Sequence, residues 1–328
     1  MHVMGGGDVG GAKTQIMNTV TGLSRTNDVM LISFRAGPFA DEARERGIDV
    51  RVIERHNPFR AARTMRDLVD EFKPDIIHCH GGRANLMGAM VRRSRHIPII
   101  TTVHSDYRLD YLGSPLKQHT LGTANAIALR FLDFYQPVAD RMARTLIERG
   151  FDPERIVKIY NGMEFNRPEG EFDRAAYLRE TYGAEIEEGD VLCGIAARLT
   201  AVKDIATTVR GFAEALKTAP QLRLFIAGDG EDADMLKKLC DQLGVRERVT
   251  FCGWVSPVMP FFRAMDINLL SSVSETFPYS ILEGVCAGCA TICSDVGGMP
   301  ELIDTGENGY IFPVGDDKKL AEYMARLA

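Results

Sequence analysis

The sequence predicts two doubly wound α/β domains, each a parallel sheet covered by helices, facing each other across a cleft. Three observations predict this. Short β-rich runs alternate with amphipathic helical runs, the alternation occurs twice, and a polar stretch without a hydrophobic strand separates the two series. The length of 328 residues suits two domains, and 45% hydrophobic with 26% charged residues is ordinary globular composition.

In chain order, "HVM" is a short first strand, a glycine turn follows, and "AKTQIMNTVTGLSR" repeats Ile16, Val20 and Leu23 at helical spacing. "VMLISF", "DVRVI", "DIIHCH" and "PIITTVH" supply the next strands, with arginine-bearing helices in "RHNPFRAARTMRDL" and "VRRSRHIP". The first domain is expected over residues 1–161. Residues 162–189 are charge-rich and read as a connector carrying one helix. The second domain, residues 190–328, repeats the pattern through "VLCGIAA", "LRLFIAG", "VTFCGWV", "INLLSS" and "ATICSDV". The chain stops inside a helical run, "DKKLAEYMARLA", with no cap, so a C-terminal segment is expected to be truncated.

The net charge of −6 argues against a protein whose main business is nucleic acid. No apolar run approaches the roughly 18 residues of a membrane helix and no signal peptide is evident, which points to the cytoplasm. Seven cysteines without a secretory segment read as reduced thiols. "CAGCATIC" lacks a fourth metal ligand nearby, so Cys286, Cys289 and Cys293 are expected to be buried structural thiols. All seven histidines lie at or before His119, so the two halves carry different chemistry.

The loop "GGGDVGGAKT" admits three readings. Gly5, Gly7 and Gly10 fall in dinucleotide-fingerprint register, yet Arg35 follows the second strand where an acidic residue would hold a ribose. A phosphate loop has Lys13 and Thr14 in place but Ala12 where its last glycine belongs. The third reading is a plain glycine turn into a helix.

In the second half, "SETFPYSILEG" spaces Glu275 and Glu283 by seven intervening residues. Proline favours a first helical turn, so a helix is expected to begin around Phe277 to Tyr279, with Glu275 on the preceding loop and Glu283 about a turn inside. The amides of that helix start would form an anion site between the carboxylates, unless both are helix-surface charges. In "GIAARLTAVKD", Arg198 and Lys203 follow a buried strand, and a guanidinium fork with an ammonium suits a diphosphate leaving group, or else both are solvated loop charges. In the first half, His78 and His80 share a strand face, but no third metal ligand presents itself at useful spacing; His104 is the preferred polar group pointing into the cleft.

Taken together, "GGGDVGGAKT", "HCHGGRAN", "TTVHSDYR", "YNGMEF", "AARLTAVKD", "IAGDGEDADMLKKL", "VTFCGWV", "SETFPYSILEG" and "SDVGGMPELIDTGENGYIFPVGD" resemble, in order and spacing and nearly end to end, the retaining glycosyltransferases of family 4 (group 1), with the GT-B fold of two Rossmann-like domains. The resemblance implies that Arg198 and Lys203 bind the donor's diphosphate, that Glu283 holds the nucleotide ribose, and that Glu275 meets the donor sugar. It implies that the backbone of Phe277, Pro278 and Tyr279 touches sugar and phosphate, that His104 stands near the donor sugar at the reaction centre, and that Gly10 and Gly11 lie close to the diphosphate. The opening loop is then a phosphate-side turn. Ala197 stands where the family commonly has glycine and Ala290 where it commonly has proline; neither carries side-chain chemistry. In this family the last helix crosses back to the first domain.

The expected reaction is retaining transfer of a hexosyl group from a UDP- or GDP-sugar to a hydroxyl acceptor, in cell-surface polysaccharide or glycolipid synthesis. No Asp-x-Asp cluster stands at a strand end, so no metal and no cofactor is expected. The first-domain arginines beside apolar positions would suit an anionic membrane surface and a lipid-linked acceptor, or are solvated helix faces. A nucleotide-sugar 2-epimerase of the same architecture and a non-catalytic nucleotide-sugar-binding protein are the alternatives, an oxidoreductase a distant third.

Overall fold

A computed structural model describes residues 1–5, 11–54, 57–92, 96–106, 108, 116, 118–165 and 170–328. The chain divides into two compact units, Met1–Gly162 and Met163–Ala328.

The first unit runs β1 (His2–Met4), α1 (Gly11–Leu23), β2 (Met30–Ser33), α2 (Pro38–Glu45), β3 (Asp49–Val52), α3 (Pro58–Phe72), β4 (Ile77–His80), α4 (Gly82–Arg92), β5 (Ile99–Val103), α5 (Thr123–Leu129), β6 (Phe134–Pro137) and α6 (Asp140–Glu148). Its six strands are parallel in the order β3-β2-β1-β4-β5-β6. The inner strands are buried along their length, as a sheet covered on both faces requires. Helix α3 shows how the local sequence sets an element. Asn57 accepts from the amides of Phe59 and Arg60, Pro58 occupies the first turn, and Ala61, Ala62, Met65 and Val69 recur on one buried face. Helix α4 lies close on the sheet because Gly88 has no side chain; a Cβ there would stand 2.7 Å from Cys79 Sγ.

The second unit runs α7 (Arg174–Tyr182), β7 (Val191–Ala196), α8 (Ile205–Ala215), β8 (Leu222–Ala227), α9 (Ala233–Gln242), β9 (Val249–Gly253), α10 (Met259–Ala264), β10 (Ile267–Leu270), α11 (Tyr279–Ala287), β11 (Ala290–Ser294), α12 (Met299–Leu302), β12 (Gly309–Phe312) and α13 (Asp317–Leu327). Its strands are again parallel, in the order β12-β11-β10-β7-β8-β9. Helix α7 belongs to the stretch read as a connector, yet it packs with this unit. Leu178 is buried in a cluster with Phe261 and Phe262, and Arg174 pairs with Asp266 at 2.8 Å.

Both sheets have the doubly wound order in which the chain turns from one half of the sheet to the other. That switch falls between β1 and β4 in the first unit and between β7 and β10 in the second. Diverging connections there leave a crevice at the strands' carboxyl ends, where ligands of such sheets bind.

Candidate functional site

In the second unit the loops leaving β7 and β10 meet at the switch point and are stitched together. The Val273 amide donates to the Val202 carbonyl at 2.9 Å. The Ser271 hydroxyl accepts from Thr208 at 2.8 Å and reaches the Lys203 and Asp204 carbonyls at 3.1 and 2.9 Å. This stitching fixes Lys203, the last residue of a single 3-10 turn, beside Glu275, and the two form an ion pair. The Ser272 hydroxyl donates to Glu275 Oε1 at 2.7 Å, and Ser294 holds the Ser272 carbonyl at 2.7 Å. Arg198 stands exposed two residues past β7, with no side-chain partner among the described residues. The loop after β8 closes tightly on it: a Cβ at Gly228 would meet the Ala197 carbonyl at 1.8 Å, and one at Gly230 the Leu199 carbonyl at 2.2 Å.

The helix expected around Phe277 to Tyr279 is α11, with Pro278 as its N-cap and no side chain capping its first turn. Glu275 lies on the preceding loop and Glu283 on the fifth helical residue. Phe277 and Tyr279 are buried. Glu283 is half-buried, has no charged partner among the described residues, and burial pushes its carboxyl above the usual range. Two close approaches set the helix in place. A Cβ at Gly284 would stand 2.1 Å from Asn268 Nδ2, which donates to the Ser280 carbonyl at 2.8 Å. Gly297, at φ +52°, lies under the Glu275 and Thr276 carbonyls, and the next amide, of Gly298, donates to Thr276 at 2.6 Å.

In the first unit, Gly10 lies outside the described residues, and Gly11 is the exposed first residue of α1. His104 follows β5, half-buried, its Nε2 at 3.4 Å from His80 Nδ1. Burial pulls the His104 ring down to about 4, and burial with the neighbouring His104 does the same to His78. The expectation that no third metal ligand presents itself beside His78 and His80 is corrected. β1 is the register neighbour of β4, so His2 sits opposite His78, and ring nitrogens of His2, His78 and His80 lie within 4.8 Å of one another. Sequence separation hid this, because only strand order makes the first strand adjacent to the fourth. Cys286, Cys289 and Cys293 are buried and form no disulfide; the one triad of potential metal ligands gathered among the described residues is the histidine triad.

The site thus brings Lys203 to Glu275, with Arg198 and Glu283 on neighbouring segments of the same unit. Sequence reasoning missed Ser272, Asn268, Gly297 and His2. For Ser272 a signal existed, two serines ending a buried strand just before Glu275. Nothing local marks Gly297, which acts on a loop about twenty residues earlier in the chain.

Two family models match the chain. Glycosyltransferase Family 4 covers residues 9–167 and Glycosyl transferases group 1 covers residues 183–328. An uncharacterized glycosyltransferase of Methanocaldococcus jannaschii is 29% identical over 75% of this chain and 64% of its own length. An alpha-monoglucosyldiacylglycerol synthase of Streptococcus pneumoniae is 26% identical over 73% of this chain and 56% of its own. The chain therefore spans less than two thirds of the length of these curated relatives. Among solved structures, Anabaena HepE in complex with UDP-glucose superposes with a TM-score of 0.84 at 22% identity, covering 98% of this chain and 88% of that one, which shows the GT-B fold. No helix among the described residues is long and apolar enough to cross a membrane.

Proposed function

The chain belongs to the group 1, family 4 glycosyltransferases, and from that premise we propose that it transfers a hexosyl group, with retention, from a nucleoside diphosphate sugar to a hydroxyl acceptor. The observation that carries this reading is the Lys203–Glu275 ion pair at the second unit's switch point, four residues before the uncapped start of α11. Cleaving a glycosyl–phosphate bond builds negative charge on the diphosphate. Lys203, Arg198 and the first-turn amides of α11 are the groups that would take it up.

Donor binding would draw Lys203 toward phosphate and release Glu275 to accept from sugar hydroxyls. Ser272 would keep that carboxylate aimed. Glu283, half-buried and without a charged partner among the described residues, would accept from the ribose hydroxyls, and the backbone of Phe277, Pro278 and Tyr279 would meet the sugar and phosphate. The resemblance gives His104 its role at the reaction centre, and Gly10 and Gly11 theirs beside the diphosphate. The cations of this site can neutralise the leaving diphosphate, so the proposed reaction needs no metal and no cofactor. The leaving phosphate would accept the acceptor's proton on the face it departs from, which retains configuration.

UDP-glucose is bound by the structural relative and favours a UDP-hexose over a GDP-hexose as donor. The relative named for a glucosyl lipid favours polysaccharide or glycolipid synthesis. On α3, Phe59 is 73% exposed beside exposed Arg60 and Arg63, which supports peripheral contact with anionic lipid and a lipid-linked acceptor.

The test is nucleotide release from a panel of UDP- and GDP-hexoses with a chelator present, comparing the protein with Lys203→Ala. Slow release of one nucleoside diphosphate, lost in the variant, is expected. Absence of both release and donor binding would overturn the reading. Loss of the donor sugar with the nucleotide still attached, and no acceptor, would show an epimerase.

A further inference from the structure

Strand register aligns four imidazoles across the first unit's switch point. His2 is the partner of His78, His80 follows on the same face, and His104 stands two residues beyond Thr102, the partner of His80. Two hydrogen bonds run ring to ring. His2 Nδ1 is 3.2 Å from His80 Nε2, and His80 Nδ1 is 3.4 Å from His104 Nε2. His2 and His80 are 5% and 3% exposed, and burial with the adjacent rings pulls both well below the usual histidine range, so both are neutral near pH 7.

A neutral imidazole carries one N–H and one bare nitrogen, and each link in this chain needs one proton. If His80 is protonated on Nδ1, that proton fills the link to His104, whose Nε2 must be bare. The bare Nε2 of His80 must then receive Nδ1–H of His2. All three rings are Nδ1–H. If His80 is protonated on Nε2, the same reasoning makes all three Nε2–H. Any mixture sets two protons or two lone pairs against each other in a buried place, which leaves polar atoms unsatisfied.

We propose that His80 and His2 are positioning residues that hold His104 in one tautomer, the three rings matched through this chain. The inference rests on the proposed transferase reading only for its consequence: the shared tautomer decides whether His104 carries Nδ1 as a donor or as an acceptor. Three of these rings, His2, His78 and His80, also gather ring nitrogens within 4.8 Å as a potential metal triad, and addition of Zn²⁺ separates that occupancy from the hydrogen-bonded chain. His78 stands outside the chain. Its Nε2 is 2.7 Å from Thr102 Oγ1, a hydroxyl that can donate or accept, so the matching rule leaves its tautomer open.

The test is a long-range proton–nitrogen correlation spectrum of the protein labelled with nitrogen-15 in its histidines, near pH 7.5, which reads each ring's tautomer directly. One tautomer common to His2, His80 and His104 is expected, and in His80→Leu the tautomer populations of His104 should shift. Thr102→Val should alter His78 alone. Mixed tautomers among the three rings would overturn the proposal, as would an unchanged His104 in a folded His80→Leu. If that variant does not fold, the wild-type spectrum still decides the matching. Addition of Zn²⁺ that abolishes the ring N–H signals of His2 and His80 would overturn it in favour of a metal site. Donor hydrolysis by His80→Leu should lose kcat with KM unchanged, as a positioning role requires. Matched rings with no donor binding would refute the transferase reading and leave the chain standing, whereas mixed rings with donor turnover would do the reverse.

Discussion

Acidification should loosen the first unit selectively, through His2, His78 and His80. Their exposures are 5%, 7% and 3%, and burial is the first cause holding each ring below the ordinary value, with His78 at about 4. A histidine whose folded pKa lies below its unfolded one contributes stability that is complete above the unfolded value, near 6.5. That stability is lost as pH falls below it, because the unfolded chain takes up protons that the folded chain refuses. Between pH 7.5 and 5.5 each ring therefore forfeits about 1.4 kcal/mol, three forfeit about 4 kcal/mol, and His104, which burial also pulls down to about 4, brings the total to about 5.5 kcal/mol, roughly ten-thousandfold in the opening equilibrium. Glu283, whose carboxyl is shifted up, acts with the opposite sign but in the second unit. The assay is amide hydrogen exchange read by mass spectrometry at both pH values, corrected for intrinsic rates. Protection in β1, β4 and β5 should collapse while β7 and β8 hold. The single tryptophan, Trp254, lies in the second unit and gives an independent fluorescence control. Protection in β1 and β4 that falls less than tenfold would show that the folded rings accept protons, and the reasoning from burial would be wrong.

Other outcomes follow from the second unit. Arg198→Ala should weaken binding of the preferred UDP-sugar by about 1.5 to 3 kcal/mol, the range of a hydrogen bond to a charged group, with little change in stability because the side chain is exposed; calorimetry showing an unchanged Kd would remove Arg198 from the donor site. Gly284→Ala brings a methyl to 2.1 Å from Asn268 Nδ2 and should cost about 1 to 3 kcal/mol of stability by overpacking, seen as a lower urea midpoint of Trp254 fluorescence. A midpoint equal to the parent's would mean that Asn268 swings aside freely. Ser272→Ala removes the 2.7 Å hydrogen bond to Glu275 and should cost about 1 kcal/mol, appearing mainly in kcat for donor hydrolysis. An equal kcat would show that Lys203 alone orients the carboxylate.

Much of the architecture is written locally. Periodicity separates strands from helices, because a residue's burial in a covered parallel sheet depends on its own element. The helix start near Pro278 is equally local, since proline's fixed φ and missing N–H act on their own turn. The same holds for Glu275 on the preceding loop and Glu283 inside the helix. The placement of residues 162–189 was less legible. Their charge suggested a connector, but Leu178 and the Arg174–Asp266 pair commit α7 to the second unit, and that partner lies 92 residues away.

What the sequence determined by itself was the class of fold, the family pattern and the identity of the charged residues at strand ends. Strand order was decided only by tertiary structure, and with it the joining of Lys203 to Glu275, the packing of Gly297 beneath the Glu275 loop, and the meeting of His2 with His80. The physical reason is that parallel strands next to each other in a doubly wound sheet are far apart in the chain. Side chains at their carboxyl ends meet across the switch point by register and close backbone approach, and no local window of sequence encodes either.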